Sequence, residues 1–334
     1  NELAYNDGAS SLHSAYSEDL INNYAQLRAE DPDRYPDTDF MGMGIKSSTH
    51  HQRHSFSLSG GTEKLKTNFS LNYYNADALY DKKNYERFNV RSNNDYNINN
   101  WIHANVDVNL LYSSTVTPHS AEGSIIKDFM ARSPLYNSYW VDGSYADGKD
   151  GDNPFALHDL GGTVKGQNYR INGKIQLDLT PIEGLTLTAI AAPQYTFYKG
   201  KDHKKKYDVF RISGDAIPGS GYATTSLNET RNDTHSLTMQ FYANYKLQLK
   251  RHSIGLMAGY EDYSYNWENE GASRTNYSLV NFPYLNLGPE DYQYNSGNAG
   301  HNAYRSFFGR IMYSWADRYM LQANIRSDGS SRFA

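Results

Sequence analysis

The side chains best suited to chemistry fall in a few short stretches. His50-His51-Gln52-Arg53-His54 sets two imidazoles four residues apart, the spacing of metal ligands on one turn of a helix. His54 also opens a run of alternating polarity, and on a strand that spacing does not aim two rings at one ion. Asp142, Asp147, Asp150 and Asp152 crowd a glycine-rich loop. Oxygen-rich loops hold calcium, so Asp147, Asp150 and Asp152 form a weak calcium candidate. The spacing departs from the EF-hand order, however, no glutamate closes the loop, and Asx and glycine turns account for the same residues. No zinc-protease, nucleophile-elbow, phosphate-loop or dinucleotide motif occurs. Glu261 and Asp262 are neighbours on a strand, so they face opposite sides and cannot share a substrate. Neither an enzyme nor a cofactor is expected. Aromatic residues are the better ligand-contact candidates: Tyr139, Trp140 and Tyr145 in one long loop, and Tyr265, Trp267, Tyr277, Phe282 and Tyr284 around another. Their faces suit sugar rings or apolar peptide side chains, and loop packing or an interfacial belt is the competing role.

The elements that must position these residues are strands. Even positions from Ile102 read Ile102, Ala104, Val106, Val108, Leu110, Tyr112, against His103, Asn105, Asp107, Asn109. Odd positions from Leu237 read Leu237, Met239, Phe241, Ala243, Tyr245, Leu247, Leu249, against polar neighbours throughout. This period-2 pattern predicts ten strands, over 53–60, 65–75, 85–98, 101–112, 167–180, 185–198, 229–249, 252–266, 301–315 and 318–328, with 85–98 the poorest in pattern. Ser17 caps a predicted helix with Leu20, Ile21, Tyr24 and Leu27 on one face, and a second is predicted over Ser124 to Arg132.

Connections between the predicted strands alternate strictly between tight and long. Gly60 to Lys64, Asn99-Asn100, Pro181 to Gly184, Lys250-Arg251 and Ala316-Asp317 are tight; 76–84, 113–166, 199–228 and 267–300 are long. One trimmed rim and one elaborated rim are the mark of a transmembrane β-barrel with short periplasmic turns and long extracellular loops. Of 334 residues, 30 are Tyr, 13 Phe and 4 Trp, a supply that suits both pleated strands and membrane interfaces. The absence of an 18-residue apolar run excludes a spanning helix but not a barrel, whose polar and apolar positions average out. A net charge of −5 offers nothing to nucleic acid, and with no cysteine there is no disulfide framework. Lys201-Asp202-His203-Lys204-Lys205-Lys206 falls on a predicted outer loop, either as solvated charge or in contact with lipopolysaccharide phosphates.

Several stretches resemble one family. Ser57-Leu58-Ser59-Gly60-Gly61-Thr62-Glu63-Lys64 with Phe69-Ser70-Leu71-Asn72-Tyr73-Tyr74-Asn75, and Tyr85-Glu86-Arg87-Phe88-Asn89-Val90-Arg91, look like the early barrel of SusC/RagA-type TonB-dependent transporters. Tyr304-Arg305-Ser306-Phe307-Phe308-Gly309-Arg310, Arg318 to Arg326 and Asp328-Gly329-Ser330-Ser331-Arg332-Phe333 resemble later strands of the same family, and Tyr35-Pro36-Asp37-Thr38-Asp39-Phe40 an element just before the first group.

The resemblance implies an all-β fold, a partial antiparallel barrel of about ten strands from about 22 in the plugged class. Residues 1–52 then read as a plug- or barrel-proximal segment and first outer loop, 53–334 as an incomplete barrel, with the plug domain absent. It further implies a Gram-negative outer membrane and TonB-dependent import of a bulky glycan or peptide. The implied partners are a SusD-like surface lipoprotein, outer-membrane lipid, and TonB acting through the plug and N-terminal segment missing here. A passive porin or structural outer-membrane barrel is the alternative, and a secreted soluble glycan-binding β-protein a further one.

Overall fold

The computed structural model describes residues 6–8, 15–120 and 122–333. Ten long strands form one antiparallel sheet: β1 (His51–Gly61), β2 (Leu65–Asp77), β3 (Asn84–Asn99), β4 (Ile102–Pro118), β5 (Gly162–Ile182), β6 (Leu185–Lys204), β9 (Ser226–Leu249), β10 (His252–Thr275), β11 (Gln293–Trp315) and β12 (Tyr319–Ser330). Each pairs with its sequence neighbours, apart from a small separate hairpin, β7 (Asp208–Phe210) with β8 (Ala216–Pro218), inside the β6–β9 connection. All ten predicted strands are present, and this is the wall of a partial barrel. Among the described residues the longer α-helices are α1 (Glu18–Glu30), α2 (Phe40–Gly44), α3 (Glu122–Ala131) and α4 (Pro154–Leu160). Ser17 caps α1 as its sequence indicates, accepting a hydrogen bond from the Leu20 amide.

The strands run further than their hydrophobic alternation, by far the most toward the long-loop rim. β9 and β10 each have 24 residues, about 80 Å at the ordinary strand rise. Above the apolar stretch both faces turn polar, as in Asn295 to Gly300, so the period-2 signal stops while the backbone ladder continues. The long loops shrink accordingly, to 78–83, 119–161, 205–225 and 276–292.

The sheet has two chemically distinct faces. One carries Phe56, Leu71, Val108, Leu110, Ile171, Ile175, Leu177, Phe241, Leu256 and Ile311, most of them well exposed. On this face His54, Tyr73, Phe88, Tyr112, Tyr169 and Phe197 are successive register partners across six strands, with ring centroids 4.7–6.4 Å apart. At the tight-turn rim the same face carries the stacked Trp315–Tyr319 pair, 5.5 Å between centroids, and Tyr313 Oη 2.6 Å from His252 Nδ1. On β5 the apolar positions run from Leu179 to Tyr169, about 33 Å along the strand and about 24 Å in height at a tilt near 45°. That is the height of a barrel's lipid-facing band.

The opposite face is a polar lattice. Asn93 Nδ2 donates to Asp107 (2.8 Å), which also pairs with Lys174 Nζ (3.0 Å). His103 lies between Asp95 (3.0 Å) and Asp178 (3.4 Å), and Thr188 Oγ1 donates to Asp178 (2.6 Å). Further along, Gln240 Nε2 and Arg326 Nη2 both donate to Glu261, and Arg326 Nε to Asp328. Asp262 pairs instead with Arg305 on the other face (2.7 Å), as expected of a neighbour on a strand. The poorly patterned β3 is held by this lattice and by its two ladders rather than by an apolar stripe.

Candidate functional site

The loops of the long rim fold into a layer with its own core. Phe40, Tyr80, Ile125, Phe129 and Phe155 form one buried cluster, and Ala156, Tyr207 and Val209 a second; Tyr145 packs against both. Asn153 organises the layer. It is 1% exposed, its Nδ2 donates to the Ser138 and Ala146 carbonyls (2.7 Å each), and its Oδ1 caps α4 by accepting from the Phe155 and Ala156 amides. Asn153-Pro154 thus starts a helix in the usual way, with a side-chain cap followed by proline at the first turn.

Tyr145 Oη donates to Asp159 Oδ2 at 2.9 Å, and Lys82 approaches the same carboxylate at 3.6 Å. Burial alone would raise Asp159, but bonds from His158 and Tyr145 and the Lys82 charge hold its carboxyl below the usual range. Burial, together with that bond to a carboxylate, pushes the Tyr145 phenol up. Tyr145 and the half-buried Tyr139, 5.0 Å apart between centroids, are therefore packing residues of the layer. Trp140 differs: its Nε1 donates to the Phe210 carbonyl (2.6 Å) while the side chain lines an open cleft of about 530 Å³ with Val141, Ile212, Asp142 and Arg211.

The sequence-based expectations need four corrections. Tyr265 and Trp267 are not loop residues; they lie on β10, on the polar face with Glu261. Tyr277 is in the 276–292 loop but only 4% exposed, packed where Gly288 leaves it room, whereas Phe282 and Tyr284 are exposed. The Lys201–Lys204 part of the basic run is strand, and His203 within it is buried. The aspartates do not converge: Asp152 takes Arg132 at 2.9 Å, burial lifts the Asp147 carboxyl, and among the described residues no three metal-ligating side chains gather. His54 likewise belongs to the aromatic row, with Nε2 3.2 Å from Gln52 Oε1.

What β10 and β11 do assemble is an aromatic ladder on the polar face. Tyr263 stacks on Tyr304 at 4.7 Å; Tyr265 and Trp267 follow at two-residue steps, with the Trp267 indole lying over Gly300. Below them Phe308 carries the Arg326 guanidinium 5.7 Å from its ring, beside Gly259, where a Cβ would come within 2.4 Å of Phe308 and 2.7 Å of Tyr242. Tyr263, Tyr304 and Phe308 were missed from sequence. Their signal was parity, since Tyr263, Tyr265 and Trp267 share the side of Glu261.

No family model matches the chain. It is 26% identical over 342 residues to TonB-dependent receptor P3 of Formosa agariphila, which covers 98% of this chain and 32% of that protein. TonB-dependent receptor P26 of the same organism is 24% identical over 322 residues, covering 91% of this chain and 30% of that protein. The chain therefore spans about a third of the length of the curated relatives it matches. Among solved structures, the RagAB peptide importer in its "open-open" state superposes with a TM-score of 0.74 at 22% identity, over 97% of this chain and 37% of that one. The Escherichia coli outer membrane transporter YddB superposes with a TM-score of 0.55 at 8% identity, over 86% and 34%. The chain is thus similar along nearly its whole length to part of the TonB-dependent receptors, and it shares the fold of the barrel wall in the RagAB importer. In a transmembrane β-barrel the apolar face is the outside of the wall and the polar face its lumen, so in such a wall the aromatic ladder looks inward.

Proposed function

We propose that this part of the receptor supplies wall, outer loop layer and ligand-facing surface to an importer in the outer membrane of a Gram-negative bacterium. The cargo is a bulky glycan or peptide. The observation that carries this reading is the ladder of Tyr263, Tyr304, Tyr265 and Trp267 on the lumen face, above the Glu261–Arg326 charges. Aromatic faces hold sugar rings or apolar side chains, and the charges beneath orient polar groups. The loop layer, with Trp140 at an open cleft, is the seat for a SusD-like lipoprotein over the mouth. Energy from TonB enters through a plug carried elsewhere in the protein, and residues 15–50 lead into β1 at the long-loop rim. The experiment is uptake by cells carrying the full-length receptor, supplied with defined oligosaccharides and oligopeptides. Uptake of one class should stop without TonB and fall about thirtyfold in Tyr265→Ala/Trp267→Ala, two stacking contacts of about 1 kcal/mol each. TonB-independent uptake would make the barrel a passive porin and overturn the proposal.

A further inference from the structure

The charges of the polar face do not balance. Its carboxylates are engaged: Asp95 and Asp178 with His103, Asp107 with Lys174, and Glu261 and Asp328 with Arg326. Arg91, Arg170, Lys246 and Arg310 share that face by register parity, and among the described residues none of them has a carboxylate within 4.0 Å. Two of these cations sit in the rows of the aromatic ladder. The Tyr265 row runs through Ser236, Gln194, Asn172 and Asn109 to Arg91, and the Trp267 row through Thr234 and Thr196 to Arg170. In a chain of net charge −5 such a face concentrates positive potential, and low-dielectric walls focus it into the space they enclose.

The other two cations mark a second station on β9–β12, nearer the tight-turn rim. Lys246, Gly255, Met312 and Gln322 form one register row of the polar face; Asn244, Met257, Arg310 and Asn324 form the next. Gly255 leaves the Met312 thioether its place, since a Cβ there would come within 3.2 Å of Met312 Cε. Lys246, Met312, Met320 and Gln322 line an open cleft of about 330 Å³. On β10 the distance from Gly255 to Tyr263, where the ladder begins, is about 27 Å along the strand. Thioethers are adaptable apolar surfaces that fit aliphatic groups of varied shape. An apolar floor beside two free cations suits an extended peptide in which aliphatic side chains and carboxylates follow one another.

We infer that the lumen face selects an acidic peptide, holding its carboxylates first at Arg91 and Arg170 in the ladder's rows and then at Lys246 and Arg310 beside the methionine cleft. The inference rests on the importer reading above and narrows its cargo. The probes are two octapeptides, one alternating leucine with glutamate and the other leucine with glutamine, supplied to cells carrying the full-length receptor with and without TonB. Wild type should import the glutamate peptide about tenfold faster, the discrimination of one charge-assisted contact. Lys246→Gln/Arg310→Gln should reduce that preference to about twofold, and Lys246→Arg/Arg310→Lys should keep it. Equal import of the two peptides by wild type, or import of neither, overturns the inference. So does an unchanged preference in the glutamine variant; new vancomycin sensitivity alongside it would assign the two cations to a segment that fills the lumen. TonB-dependent import of oligogalacturonate in place of both peptides also overturns it but leaves the importer reading intact, which only TonB-independent uptake removes. If the glutamine variant does not assemble, the wild-type comparison of the two peptides decides alone.

Discussion

Single residues hold the loop layer together. Asn153 satisfies two buried carbonyls and two helix-start amides at once. Asn153→Ala should cost the layer about 2–3 kcal/mol, the sum of a lost cap and stranded carbonyls. Hydrogen exchange over 133–161 is the measurement, with faster exchange there and no change on the strands. Asp159 gives the layer a pH dependence whose sign follows from its lowered carboxyl. Its stabilisation is complete above the unfolded value of about 3.9 and disappears as pH falls through the lower folded value. Resistance to an acid-active protease should therefore hold from neutral pH down to about 4 and fail below it. Tyr145→Phe removes a donor to the carboxylate, so the folded value should rise and resistance at neutral pH decline. A layer whose resistance does not change with pH would show that Asp159 contributes nothing.

At the scale of elements, the tight turns and the glycines opposite aromatic rings set the geometry. Ala316 and Asp317 both adopt positive φ (53° and 55°) between β11 and β12, the left-handed pair that a two-residue hairpin needs and that glycine or asparagine occupies most easily. Ala316→Gly should stabilise the turn by about 1 kcal/mol, the cost of a Cβ in that region. Ala316→Val should do the reverse. Thermal unfolding of the folded, heat-modifiable form reads both; an unshifted or lowered transition in Ala316→Gly would contradict the assigned turn. Pro193 within β6 has the opposite effect on a ladder: the pairing with β5 passes from Asn172–Gln194 to Ile175–Ala191 with a gap between, where proline offers no amide.

Across the whole molecule the decisive feature is that the two faces of one sheet meet different solvents. Ile175 and Gln176 are neighbours on β5, yet Ile175 is 57% exposed on the apolar face and Gln176 donates to Asp178 within the lattice. Ile175→Lys should cost about 2–4 kcal/mol of stability in a bilayer, as a cation near mid-membrane does. Gln176→Lys, one residue away and facing the lumen, should cost far less. Unfolding from vesicles compares them, and equal penalties would remove the lipid from one face.

The period of two, the alternating loop lengths and the aromatic supply determined the sheet, its ten strands and its two rims, because each is a local property of spacing along the chain. The cap at Ser17 and the opposed sides of Glu261 and Asp262 were legible for the same reason. The full strand lengths were not, since backbone pairing with neighbours continues after the hydrophobic alternation ends. Nor was the fate of the aromatic candidates. Tyr145 and Tyr277 went into packing and Tyr265 and Trp267 onto the lumen face, because residues far apart in sequence decide what covers a ring. The aspartate loop was settled by Arg132, the lysine run by Glu229 and Pro283. Those partners lie 20 or more residues away, and only the tertiary structure brings them within reach.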